Sequence, residues 1–118
     1  MKFAIQINSA PWRGGGSDSA YQFILAALRL GHEVVRVFFY HDGACHGLPM
    51  APPDDEMGLI RRWSALAAGQ NVDLVICISA AQRRGLPEAA VADGFRIAGL
   101  GLWIDACLKA DRVLTFGG

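Results

Sequence analysis

Five short runs rich in β-branched and aromatic residues recur along this chain, and the stretches between them are too long for hairpin turns. The first, residues 2–8 (KFAIQIN), alternates apolar and polar residues and sets Phe3, Ile5 and Ile7 on one face. The others are residues 33–40 (EVVRVFFY), 72–78 (VDLVICI), 95–98 (FRIA) and 111–116 (DRVLTF). Between the first two, Ala20, Phe23, Ile24, Ala27 and Leu28 recur at helical spacing, with Ser17 or Asp18 as N-cap and Gly31 as the stop. A second helix is expected from Asp54 or Asp55 to about Ala68, with Met57, Ile60, Trp63, Ala67 and Leu66 inward. Gly69, Gln70 and Asn71 close it. Residues 79–85 make a short helix or turn, and 86–94 are short and irregular. A last helix carries Leu102, Trp103, Ile104, Ala106, Cys107 and Leu108, with Cys107 read as core. Strands alternating with helices predict βαβ units and a mainly parallel sheet covered on both faces.

The chain has 118 residues, which suits a single domain over residues 1–118; 53% are apolar, enough for a core. Eleven basic and eleven acidic residues cancel, so no basic footprint for nucleic acid is present. Zero net charge on so apolar a chain favours association. No apolar run reaches the length of a membrane span and no signal-peptide pattern opens the chain. Cys45, Cys77 and Cys107 are widely spaced, without a CxxC pair, which argues against a disulfide scaffold. The reducing cytoplasm is the expected compartment.

Cys77 is the residue of most chemical interest. It ends an apolar strand, where the chain leaves the sheet, and in open α/β sheets that edge is where ligands bind. Arg83 and Arg84 follow a turn or two later and bring positive charge, which favours thiolate. A plain core cysteine is the alternative. His41, at the end of the second strand, is either a proton shuttle beside that thiol or a turn residue, with Asp42 as turn former. Gly14–Gly15–Gly16 lies between strand and helix, where a phosphate could sit, but the run fits neither GxGxxG nor a Walker loop. It is read as a loop, or as a wall near the sheet edge. Cys45–His46 is also a loop, because two adjacent ligands make no metal site. Arg61 and Arg62 are read as solvated or interfacial. A cysteine hydrolase would need a partnered histidine and an acid, roles open only to His41 and Asp42.

Several separated segments, in order, resemble the DsrE-like proteins and within them the DsrE/TusD branch: KFAIQIN (2–8), SDSAYQF (17–23), GHEVVRVFFYHDG (31–43), CISAAQRRG (77–85), FRIAGLG (95–101) and ADRVLTFGG (110–118). The resemblance implies a three-layer α/β/α sandwich with a mainly parallel five-stranded sheet. It implies a heterohexamer with DsrF/TusC-like and DsrH/TusB-like subunits, without metal or organic cofactor. It places Cys77 at the position of the sulfur-accepting cysteine, which would hold sulfane sulfur as a persulfide and pass it to a DsrC/TusE-like carrier. The upstream donor would be another persulfide, and neither nucleic acid nor membrane would be a direct partner. SDSAYQF, FYHDG and AAQRRG look closer to DsrE than to TusD, favouring dissimilatory sulfur oxidation over tRNA 2-thiouridine synthesis. A non-catalytic structural or binding subunit is the rival from another class. The chain departs from the pattern at residues 86–94, where relatives carry a longer acidic, Asn-containing insertion.

Overall fold

Each of the five apolar runs forms a strand in the computed structural model, which describes residues 1–48, 58 and 61–117. The strands are β1 (Lys2–Ile7), β2 (Glu33–Phe39), β3 (Leu74–Cys77), β4 (Phe95–Ala98) and β5 (Arg112–Phe116). Helices α1 (Gly16–Arg29), α2 (Arg61–Gln70), α3 (Ile78–Arg83) and α4 (Gly101–Lys109) alternate with them. Met57 and Ile60, expected inward on the second helix, lie outside the described residues; Trp63 and Leu66 are buried as expected. Where a loop was expected after β2, residues His41–Gly47 wind into a 3-10 turn.

The sheet order is β4-β3-β2-β1-β5. All four neighbouring pairs are parallel, so "mainly parallel" becomes wholly parallel. From β1 to β4 the chain steps in one direction, then returns across the sheet to place β5 on the far side of β1. Crossovers of one hand put the helix of a reversed step on the opposite face. The packing agrees. Trp63 of α2 meets Phe39 edge-on at 5.3 Å, whereas Trp103 of α4 stacks on Phe38 at 5.8 Å. Consecutive strand residues point to opposite faces. Tyr21 of α1 lies 5.3 Å from Trp63, so α1 and α2 share a face and α4 takes the other. The result is an α/β/α sandwich. With both faces covered, central strands are apolar throughout: Val37, Phe38, Phe39, Leu74, Val75 and Ile76 are all fully buried. Each such side chain contributes about 1.5–3 kcal/mol of transfer free energy.

Three local expectations change. Helix α1 begins at Gly16 with Gly15 as N-cap, so neither Ser17 nor Asp18 caps it. Helix α4 turns Trp103 and Ala106 inward, but Leu100, Ile104 and Leu108, spaced by four, form an outward stripe, with Leu108 82% exposed. Cys107 is only partly buried rather than core, because it sits at the edge of the face, between the inward Trp103 and the outward Ile104 four and three residues before it. Arg62 is not solvated: its guanidinium lies 4.3 Å from the centre of the Tyr21 ring and donates to Asp18 at 2.9 Å.

A charged network locks the start of β3. Asp73 accepts from Arg36 Nε at 2.6 Å and from Arg96 Nη2 at 2.9 Å, while Arg36 also reaches Asp105 and the Leu102 carbonyl on α4. Burial pushes the Asp73 carboxyl up, but the hydrogen bonds from Arg96 and Arg36 outweigh it and hold the group below its ordinary value.

Candidate functional site

Cys77 is the last residue of β3 and the N-cap of α3, in register with Ala98 of β4. Extended backbone at Cys77 (φ −63°, ψ 124°) turns the chain from strand into helix there. The first N–H groups of α3 have no partners within the helix. Cys77 is only 3% exposed. Helix α3 is short because Gly85 ends it. Gly85 adopts φ 68°, and the amides of Gly85 and Leu86 turn back to the carbonyls of Gln82 and Ala81 at 3.2 and 3.0 Å.

The His41–Gly47 turn packs against both β3 and α3, the elements that meet at Cys77. Small residues allow the approach. A Cβ on Gly43 would overlap the Ile7 carbonyl oxygen, and one on Gly47 would press on Ile76 and Leu86 at 3.1–3.3 Å. The Gly47 carbonyl also accepts from the Ala92 amide at 3.0 Å, which ties down the segment after α3. The turn is pinned from inside by His46, which is fully buried. Its Nδ1 lies 2.8 Å from the Gly43 carbonyl, an acceptor, so Nδ1 carries the proton. Nε2 then accepts from the Ser17 hydroxyl at 2.7 Å. Burial drives the imidazole pKa down to about 3, against the opposing pull of the Gly43 bond. His46 is therefore a neutral structural group, already committed to two protein partners.

The residues singled out from the sequence separate into groups. Arg84 is brought to Asp42: Nη2 and Nε donate to Oδ1 at 2.7 and 3.2 Å, and Nη1 donates to the Ala80 carbonyl at 3.2 Å. The hydrogen bond from Arg84 is the chief reason the Asp42 carboxyl sits below its ordinary value. Arg83 is exposed in the last turn of α3. His41 is exposed, adopts φ 50°, and lies with its ring 4.1 Å from that of Tyr40. With Asp42 held by Arg84, His41 and Asp42 form no base–acid relay. Cys45 is half-buried in the turn, and burial raises its thiol pKa, with Arg84 opposing. The glycine run lines a cleft of about 430 Å³ with Asn8, Ser9, Arg13, Asp42 and Gly117. It is thus a wall at the same sheet edge, over β1 and β5 and two strands from Cys77.

Two contacts escaped the sequence. The Ser17–His46 pair spans 29 positions and the Asp42–Arg84 pair spans 42, and no periodicity reports such partners. The closely set Gly43, Ala44 and Gly47 were the available signal of a tightly packed segment.

Residues 1–116 match the model of the DsrE/DsrF-like family. DsrE of Allochromatium vinosum is 45% identical, with 99% of this chain and 99% of that protein aligned. The sulfurtransferase TusD homolog of Haemophilus influenzae is 38% identical, covering 98% of this chain and 99% of that protein. The crystal structure of the ychN protein from E. coli superposes with a TM-score of 0.83 at 25% identity, over 98% of this chain and 99% of that one.

Proposed function

This chain belongs to the DsrE/DsrF-like family, and from that membership we propose that it is a sulfurtransferase subunit whose Cys77 carries sulfane sulfur as a persulfide. The observation that carries the proposal is the place of Cys77: it ends a central strand and starts a helix, on the C-terminal edge of an all-parallel sheet. That edge is where such folds bind ligands. The names of the TusD relatives support transferase chemistry.

The chemistry is thiol exchange. Cys77 loses its proton to solvent, and the thiolate attacks the outer sulfur of a donor persulfide, R–S–SH. The donor's S–S bond breaks, a Cys77–S–S bond forms, and R–S⁻ leaves. An acceptor thiolate then attacks the outer sulfur, and Cys77 thiolate is released. No net electron is exchanged with an outside reagent. Both steps require thiolate character and access. The first amides of α3, which lack partners within the helix, are donors next to Cys77 in the chain.

The acceptor in this scheme is a DsrC/TusE-like carrier. The neighbours are DsrF/TusC-like and DsrH/TusB-like subunits in a heterohexamer, in the cytoplasm. Support for a neighbouring subunit comes from the outward stripe Leu100–Ile104–Leu108 with Val113, since a helix apolar on both faces favours cover. Higher identity to DsrE than to TusD favours sulfur oxidation over tRNA thiolation. Among the described residues no helix is long and apolar enough to cross a membrane.

The burial of Cys77 favours one rival, a subunit in which the thiol is merely packed. Mass spectrometry separates the two. After incubation with persulfide-loaded rhodanese, one added sulfur is expected on the Cys77 peptide and none on the Cys77→Ser chain. Loading absent from Cys77, or equal on Cys45 and Cys107, overturns the assignment if it persists in the assembled complex.

A further inference from the structure

A thiol that exchanges sulfur with another protein must be reached, yet Cys77 is 3% exposed. Something over it has to move. The His41–Gly47 turn packs against β3 and α3, the elements that meet at Cys77, and among the described residues one polar side-chain contact joins the turn to α3: Arg84 at the end of α3 to Asp42 in the turn. The contact is charge-assisted and two-pronged from the guanidinium, but it lies near solvent, with Asp42 58% and Arg84 27% exposed. Among the described residues, the turn's other hydrogen bonds to its surroundings are either buried or backbone. His46 fixes the turn to Ser17, and the Gly47 carbonyl holds Ala92. The Asp42–Arg84 pair is thus the tie that an arriving charged group can compete for without entering the core.

We propose that the Asp42–Arg84 ion pair is the latch on Cys77: while closed it holds α3 against the turn, and its opening admits the sulfur donor or acceptor. The functional consequence rests on Cys77 being the sulfur-bearing thiol; the access consequence does not. A partner presenting a carboxylate to Arg84 would open the latch as it docks, so exposure of the thiol would coincide with arrival of its reaction partner. Opening is modest in energy, because exposed pairs contribute little and are screened by salt.

The test is the rate at which the native full chain is alkylated at Cys77 by iodoacetamide, a neutral reagent, read by peptide mass spectrometry with Cys107 as internal reference. Asp42→Asn and Arg84→Gln are each expected to react about two- to fivefold faster than the unsubstituted chain at low salt. This pairing separates access from field effects. Loss of a nearby negative charge favours thiolate and loss of a positive charge disfavours it, so a field effect moves the two variants in opposite directions. Loss of a latch moves both up. The charge-swapped chain, Asp42→Arg with Arg84→Asp, is expected to return toward the slow rate. In the unsubstituted chain, 0.5 M salt is expected to give the acceleration that either variant gives, with no substitution to unsettle the fold. Opposite movements of the two single variants overturn the latch, as does a salt-independent rate at Cys77 in the unsubstituted chain. Sulfur loading is scored separately: faster alkylation without loading keeps the latch and removes the sulfurtransferase role.

Discussion

Lowering the pH from 7.5 to 5.0 will destabilise this protein by an amount traceable to one side chain. His46 titrates near its ordinary 6.5 in the unfolded chain but at about 3 in the native one, because protonation would bury a charge among Phe39, Trp63 and the Gly43 turn. Between those values the unfolded state binds a proton that the native state does not, so stability rises with pH. It is fully present above about 6.5, and falls as pH drops toward 3. At pH 5 the unfolded chain gains from about one and a half units of protonation, a loss of about 2 kcal/mol or some thirtyfold in the folding equilibrium. Urea unfolding followed by tryptophan fluorescence reads this directly, since Trp63 is fully buried. With a slope of roughly 1–3 kcal/mol per molar urea, the midpoint should move by about 1 M. His46→Gln is less stable at every pH but lacks the titration, so the difference between the two chains isolates the term. Asp73 does not intrude, because a carboxyl held below its ordinary value loses its contribution only below about pH 4. Equal stability of the unsubstituted chain at the two pH values would refute the reasoning, and so would an undiminished fall in His46→Gln.

Four other outcomes are expected. Cys77→Ser should carry no sulfur after incubation with the persulfide donor, by intact-mass measurement. Removing either side of the Asp42–Arg84 pair should speed alkylation of Cys77, and reversing both charges should slow it again. Gly43→Ala should cost about 1–3 kcal/mol in thermal melts, since its Cβ has no room beside the Ile7 carbonyl, whereas Gly99→Ala meets nothing within 4 Å and should be near neutral. Asp73→Ala should cost about 1–3 kcal/mol, because it strips acceptors from Arg36, whose side chain is 11% exposed, and from Arg96.

The strands were legible because their composition follows from burial on both faces, which no alternative fold tolerates as well. The parallel pairing was legible because helical spacing separated the runs. Most of what failed was local and polar. Ser17 has the chemistry of an N-cap, and its sequence position suits one, but its hydroxyl satisfies His46, and an exposed glycine takes the capping place. Cys45–His46 read as an ordinary loop, since nothing nearby in sequence announces a buried imidazole with partners 3 and 29 positions away. Leu108 and Ile104 were apolar and helical, which is indistinguishable from core until the partner face is known. At the site, the strand-end position of Cys77 was readable from the apolar run before it and the small residues after it. The engagement of Arg84 by Asp42 was not, because it depends on how two turns meet in space.

The strand order has a consequence for the birth of the chain. Strand β1 lies between β2 and β5, and β5 is the last strand to be made. Residues 3–7 acquire their second row of backbone partners only when residues 112–116 appear, more than a hundred positions later. At about 5–20 residues per second, the flank of β1 stays unpaired for several seconds of synthesis. An unpaired strand flank is a template for foreign chains. Late closure by so distant a pairing also predicts slow completion of folding. In the cell, the hazard would fall on truncated or stalled chains that never deliver β5.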